Sequence, residues 1–515
     1  MTFDAGLVPC HFIQHAADLD RLGVALAEAE RVVIDTETPV DGPEAGRLRV
    51  LSVAVRAQAS TVPENHQERH RDRRVREQVF VVDARDVDPT LLAPILSGVS
   101  ADAWNADFDA RVLDDAVWRS GDVTDSITWW DAQLADALLH QGQNGFNWYH
   151  GLAWATRHYL GVELEGKGTV QLSYRAEPDL TADQVAYAAA DAVYTMWVGD
   201  RLRTELTTAA LDEVCEIEQA ARPFLDQMQR SGLPFDWPGW RAELDRIEQR
   251  RGEVLTELAM MTGGGQGSLF GPTVEPTWNP GSDQQVRAAL NQWATADVEA
   301  WTADNFGRAR PLTTFDSVTA TVLREIGGEL CRTLLEYRAL NKTLSTYGES
   351  IHDHLHDDGR LRPQYLQVVG TNTGRLASRN PNAQNLTPKM KTYIRPPEPD
   401  RVFVYADLSQ AELRFLAQVA EDDALRAAFA RGDDVHVSTA ASMFGFDPDS
   451  LKQADPERFK HLRQIAKALN FGIAYGSGAA SLARSLTAEG TPTTQEEAER
   501  LLDHYRNTYP GTAVW

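Results

Sequence analysis

The chain has 515 residues, 43% of them hydrophobic and 24% charged, with a formal net charge of −25 at pH 7. That length suggests roughly two to four domains; the acidic balance excludes a nonspecific nucleic-acid coat but leaves room for a local basic channel. Cys10, Cys215 and Cys331 suit neither a disulfide framework nor a zinc site. No run reaches membrane-spanning length and the opening MTFDAGLVPCHFIQHAADLD is not signal-like, so a cytoplasmic protein without membrane partners is expected.

Residues 31–37 (RVVIDTE) form a β-branched run ending in Asp35 and Glu37. At i and i+2 on a strand both carboxylates point to one face. Residues 48–55 (LRVLSVAV) and 79–83 (VFVVD) continue as two more strands of a meander. Between them ENHQERHRDRRVRE at 64–77 is an Arg-dense loop, either a solvated excursion or a contact to a DNA backbone. In AWNADFDARVL (103–113), Asn105 and Asp109 stand one helical turn apart. LTADQVAYAAADAVYTMWV (180–198) predicts a helix capped by Thr181, with Tyr187 and Asp191 at i and i+4. Four carboxylates from separate elements, with no His or Cys among them, make a hard-oxygen site suited to two Mg²⁺ or Mn²⁺ ions.

This region resembles the DEDD superfamily of 3′–5′ exonucleases, in the subgroup whose last motif carries tyrosine. The resemblance implies an RNase H-like α/β domain over residues 1–204 acting on single-stranded DNA 3′ ends. Asp35, Glu37 and Asp191 would hold one metal, and Asp35 and Asp109 would reach the second. Tyr187 would position the attacking water, and Asn105 would contact the DNA strand.

Residues 205–262 carry long helical patterns, interrupted by TGGGQGSLFGPTVEP at 262–276. Within it Gln266-Gly267-Ser268-Leu269-Phe270 resembles the short peptide by which bacterial replication proteins dock on a sliding clamp, with Gly where Leu is common in the second position. The other reading is an ordinary loop with two apolar anchors. WNPGSDQQV (278–286) and LLEYRALNKTLSTYG (334–348) resemble the thumb of family A, DNA polymerase I-like enzymes. The cluster His352, Asp353, His354 and His356 is read as a solvated helix end. TNTGRLASRNPNAQN (371–385) resembles the family's strand-and-turn segment beside the primer–template. By that resemblance Arg375, Gln384 and Asn385 would bond in the minor groove, where correct base pairs present acceptors at similar positions.

VFVYADLSQAELRFLAQVA (402–420) reads as a buried strand, a turn and a helix, and resembles the family's motif A. Asp407 would ligate both catalytic metals and Glu412 would crowd the sugar 2′ position. Gln410 is either a DNA contact or a local hydrogen bonder. In GDDVHVSTA, His436 matches a position that approaches the triphosphate.

HLRQIAKALNFGIAYG (461–476) is a helix whose Arg463, Lys467 and Phe471 share one side. Among 50 Lys+Arg only seven are lysines, so Lys467 departs from the chain's usual cation. The stretch resembles motif B. Arg463 would grip the γ-phosphate, Lys467 would neutralise the phosphates and protonate the departing pyrophosphate, Phe471 would stack on the incoming dNTP, and Tyr475 would hold the templating slot.

The resemblance thus implies an α/β exonuclease domain followed by an α-rich right-hand polymerase region: thumb at 205–370, partial palm at 371–430, fingers at 431–515. The family's later His-Asp-Glu hairpin is not found after Tyr475, so a truncated record or a split polymerase whose second polypeptide supplies the palm motif is expected. The exonuclease starts almost at Met1, which resembles phage-type enzymes and would place the protein in a host cytoplasm. A free-standing 3′–5′ exonuclease and a noncatalytic DNA-binding subunit are the alternatives.

Overall fold

The computed structural model describes residues 8–42, 44–58, 77–118, 126–143, 148–164, 168–176, 179–267, 274–396, 398, 400–488, 491 and 493–514. The Arg-dense loop at 64–77, Glu77 excepted, and the Leu269-Phe270 pair lie outside the described residues. The chain divides into two compact units, Met1–Phe235 with His354–Ile394, and Asp236–Asp353 with Arg395–Trp515.

The first unit is built on a six-stranded sheet: β1 Cys10–Ile13, β2 Ala29–Glu37, β3 Val50–Ala57, β4 Glu77–Asp83, β5 Val99–Ala103 and β6 Ile127–Asp131, in the order β1-β4-β3-β2-β5-β6. β2, β3 and β4 form the expected antiparallel meander, with Asp35 opposite Ser52 and Glu37 opposite Val50. β1, β5 and β6 add in parallel at the two sides.

The two-residue side-chain period of a strand sorts the β-branched residues between two cores. Val32, Ile34, Leu51, Val53 and Val55 pack with Leu22, Leu92 and Leu113 on one face. Val33, Val50 and Ala54 pack on the other with Tyr187, Ala188, Ala189, Ala192 and Met196 of the helix Ala182–Thr208. Asp35 and Glu37 share the parity of Val33, so they emerge on the face that this helix covers. Alanines at its contact surface bring the helix close to the sheet. Its start is fixed by a capping box, in which Gln184 N donates to Thr181 Oγ1 at 3.2 Å and Thr181 N to Gln184 Oε1 at 2.9 Å.

The later segment of this unit pairs Gln364–Leu366 with Ala377–Arg379. Leu366, Val368 and Val369 share a core with Leu134, Leu138, Val198 and Leu202.

The second unit is helical around two cores. Helices Trp237–Met261 and Gly328–Tyr347 bury Val254, Leu258, Leu330 and Leu334, and Trp240, fully buried, donates from Nε1 to Tyr347 O at 2.9 Å. The second core joins Leu413, Leu416, Leu425, Ile465, Leu469, Leu502 and Tyr505.

One expectation fails. Residues 402–406 are not a buried strand: the backbone from 401 to 408 carries no assigned secondary structure, and Val402, Val404, Tyr405 and Leu408 are 81%, 87%, 81% and 79% exposed. A strand forms only with a hydrogen-bonded neighbour, and among the described residues none lies alongside. The helix Ala411–Val419 that follows is present. Its Phe415 and Val419 are also exposed.

Candidate active sites

Asp35 and Glu37 leave the end of β2 on the face covered by the helix Ala182–Thr208, and that helix contributes Asp191. Ligand oxygens of these three carboxylates lie within 4.8 Å of one another. They line a cleft of about 590 Å³ together with Asn105, Phe108, Asp109 and Leu172. An all-carboxylate donor set this tight fits a hard divalent cation, which offsets the repulsion among the anions.

Asp109, the fourth carboxylate, is brought in by the helix Ala106–Leu113. Its Oδ1 accepts from Thr36 N at 2.9 Å and from Thr36 Oγ1 at 2.7 Å. Burial nevertheless pushes its pKa up to about 8, against the pull of the Thr36 hydrogen bonds. The helix carrying it begins at Asn105, in the left-handed region at φ 73°, where the Asn105 and Ala106 N–H groups donate to Asp131. Asp131 also caps the next helix, Ala132–His140, by accepting from Gln133 N and Leu134 N. One buried carboxylate thus ties two walls of the cleft together.

Tyr187 is buried in the core beneath the carboxylates. Burial, then the charges of Asp191 and Glu37, drive its phenol pKa well above the ordinary value. Tyr174, fully buried, is raised by burial and then by Glu37, Asp35 and Asp191, and donates to Gln184 O at 2.8 Å.

A second cluster lies in the other unit. The helix Pro456–Ala474 buries Ile465, Ala466, Leu469 and Asn470, leaving Arg463, Lys467 and Phe471 on its outer side as the spacing requires. Arg463 donates through Nε and Nη2 to Asp434 Oδ2 at 2.9 and 2.7 Å. Asp434 also caps the helix Val435–Phe444, accepting from His436 N and Val437 N, and takes a 3.3 Å bond from Gln410 Nε2. Burial pushes the Asp434 carboxyl up, but its bonds to Arg463 win and hold it below the usual range. His436 is buried against Phe471, with ring centroids 5.7 Å apart, and its Nδ1 lies 2.9 Å from Asn470 Nδ2. Burial, with Arg463 and Lys467 adding to it against Asp434, brings its pKa down to about 4, so the ring is neutral near pH 7. Tyr475 donates to Glu412 Oε2 at 2.9 Å.

Residues 10–207 match the 3′–5′ exonuclease family, and residues 272–515 match DNA polymerase family A. The chain carries a 3′–5′ exonuclease domain followed by a family A polymerase region. It is 30% identical over 521 residues to DNA polymerase I of Chloroflexus aurantiacus, covering 98% of this chain and 50% of that protein. To DNA polymerase I of Pseudomonas aeruginosa it is 29% identical, covering 95% and 50%. The chain therefore spans about half the length of these relatives. The solved POL domain of Pol1 from M. smegmatis, in complex with DNA primer-template and dNTP, shares the fold at TM-score 0.68 and 20% identity, covering 98% of this chain and 77% of that one.

The exonuclease domain brings Asp35, Glu37, Asp109, Asp191 and Asn105 to one cleft, with Tyr187 beneath it. In the polymerase region, Arg463 and His436 meet at Asp434 and His436 packs on Phe471, Glu412 and Tyr475 form a separate pair, and Lys467 is exposed on the same helix face as Arg463. Asp407 sits exposed on the unpaired 401–408 segment. Arg375, Gln384 and Asn385 belong to the first unit, where Arg375 and Asn385 are exposed and Gln384 Nε2 donates to Leu376 O at 2.8 Å. Sequence reading missed Thr36, Asp131, Tyr174 and Asp434. Asp131 and Asp434 each precede a helix, and that capping position was the available signal.

Proposed function

We propose that the chain is a template-directed DNA polymerase of family A with a proofreading 3′–5′ exonuclease. The observation that carries this is the convergence of Asp35, Glu37 and Asp191, from two elements far apart in sequence, within 4.8 Å. Hard oxygen donors favour two Mg²⁺ or Mn²⁺ ions, with Asp35, Glu37 and Asp191 on one and Asp35 and Asp109 toward the other. Such ions would supply the Lewis acidity that activates a water for attack and stabilises the leaving 3′ oxygen. Thr36 fixes the rotamer of Asp109, and Asn105 and Leu172 line the route by which a DNA 3′ end would enter. Tyr187, in the core close to the charges of Asp191 and Glu37, would position the attacking water.

In the second unit the outer face of the Pro456–Ala474 helix would take the incoming dNTP. Arg463 and Lys467 meet its phosphates, Phe471 stacks on its base, and Tyr475 with Glu412 guards the space it enters. Arg375, Gln384 and Asn385 would contact the primer–template. Asp407 is the polymerase metal ligand in this reading. The exposed run Val402–Leu408 supports a β-strand partner, from the same or a second polypeptide, that would settle Asp407 beside a further carboxylate. A free-standing exonuclease leaves the Arg463–Asp434 and Tyr475–Glu412 arrangement without a use.

The test is a primer–template with one mismatched 3′ nucleotide. The chain with Mg²⁺ should remove that nucleotide, and Asp35→Ala with Glu37→Ala should abolish removal. Removal of that nucleotide at an unchanged rate in the double variant contradicts the exonuclease reading. Binding of the next correct dNTP should weaken more than tenfold in Arg463→Ala, and unchanged binding contradicts the polymerase reading.

A further inference from the structure

Asp136 is fully buried in the helix Ala132–His140 and does not line the carboxylate cleft described above. Three other buried carboxylates of this unit are paired with arginine: Asp83 with Arg49, Asp102 with Arg203, Asp114 with Arg230. Asp136 is paired instead with two imidazoles. His150 Nδ1 lies 2.8 Å from its Oδ2, and His140 Nδ1, hydrogen-bonded to the Asp136 main-chain O at 2.9 Å, lies 3.4 Å from its Oδ1. One donor atom from each of the three residues falls within a 4.8 Å cluster. Donors around a tetrahedral Zn²⁺, at about 2.0–2.1 Å from the metal, sit roughly 3.3 Å from one another; the His140 Nδ1–Asp136 Oδ1 spacing is already of that size, and a bound ion would replace the hydrogen bonds that now hold the two Nδ1 atoms.

The surroundings hold the donors in place. Tyr159 Oη donates to Asp136 Oδ1 at 2.8 Å, fixing the carboxylate. Trp154 stacks on His150 at 3.5 Å between centroids and on His158 at 4.5 Å. His140 and His150 keep 13% and 21% of their side-chain surface, which leaves a way in and a solvent-facing position for a fourth ligand.

We propose that Asp136, His140 and His150 form a binding site for a transition-metal dication of the Zn²⁺ type. Two imidazoles and a carboxylate select such an ion, whereas the all-oxygen nuclease cleft selects Mg²⁺ or Mn²⁺. The bound ion neutralises a buried carboxylate that no arginine or lysine among the described residues pairs with. It also clamps the Ala132–His140 helix to the segment around His150. These elements are already joined by Gln133 Nε2 donating to His150 O at 2.9 Å, and they supply Gln133 and Gly151 to the wall of the nuclease cleft. The site is therefore a staple for that wall.

The test uses the full chain carrying Asp35→Ala and Asp191→Ala, which removes two of the three clustered carboxylates of the nuclease cleft. After chelation it is titrated calorimetrically with Zn²⁺ alone. One Zn²⁺ per chain should bind, and His140→Gln or His150→Gln should weaken it roughly 10- to 100-fold. Should either variant fail to fold, X-ray absorption of the Zn²⁺- or Co²⁺-loaded parent decides: imidazole scattering from two histidines supports the site. Absence of Zn²⁺ binding, equal affinity in folded histidine variants, or a shell without imidazole overturns it.

Discussion

Thr36 binds the same oxygen of Asp109 twice, through its backbone N–H at 2.9 Å and its hydroxyl at 2.7 Å. The residue between the two β2 carboxylates therefore aims the fourth carboxylate of the cleft, which arrives from the helix Ala106–Leu113. Replacing Thr36 with Val keeps the shape and the backbone bond but deletes the hydroxyl. A hydrogen bond to a charged group contributes about 1.5–3 kcal/mol, so 3′-end hydrolysis should fall roughly ten- to hundredfold in kcat. Steady-state hydrolysis of a single-stranded oligonucleotide measures this, and an unchanged rate would show that Asp109 needs no such hold.

The raised pKa of Asp109 sets a pH dependence. In metal-free protein the native carboxyl keeps its proton up to about 8, whereas an unperturbed one loses it near 3.8. Between those values the unfolded chain has released a proton that the native state retains, so this group makes stability decline as pH rises through the window. In EDTA, the melting temperature of Asp109→Asn relative to the parent should increase from about pH 5 to about pH 8. A difference constant with pH contradicts the assignment.

Arg463 is held by Asp434, a carboxylate that an incoming triphosphate would displace under the function proposed above. Both side chains are about one-third exposed, so the pair is worth at most about 1 kcal/mol. Asparagine keeps the helix cap while removing the charge. Asp434→Asn should therefore tighten dNTP binding about two- to fivefold, as read by fluorescence titration, and weaker binding would assign Asp434 an orienting role instead.

The exposed run at 402–408 makes a claim about packing. Val402→Lys with Val404→Lys removes two β-branched side chains that touch little, so each change should move stability by no more than about 0.5 kcal/mol. A loss of several kcal/mol in urea unfolding would mean that the segment is packed in solution.

Much of this arrangement was legible because it is local. The meander, the Thr181 cap and the Asp35–Glu37 pair follow from side-chain period and cap chemistry, and so does the shared face of Arg463, Lys467 and Phe471. What escaped depended on partners distant in sequence. β5 is short and contains Asp102, which is buried because Arg31 and Arg203 come to it from β2 and the Ala182–Thr208 helix. Asp131 looks like an ordinary cap until Asn105 and Ala106 donate to it as well. The run at 402–406 has the composition of an inner strand, but composition does not supply the neighbour that makes a strand.

Asp191 is the residue that joins the two halves of the nuclease cleft, and hydrolysis of a 5′-labelled single strand by the full chain with Mg²⁺ tests the account most directly. The parent should shorten the strand stepwise from its 3′ end, and Asp191→Asn, with its fold checked by circular dichroism, should be slower by about a thousandfold or more, on the scale of about 4 kcal/mol. Equal rates for the folded variant and the parent, or loss of the label from the 5′ end, would contradict it.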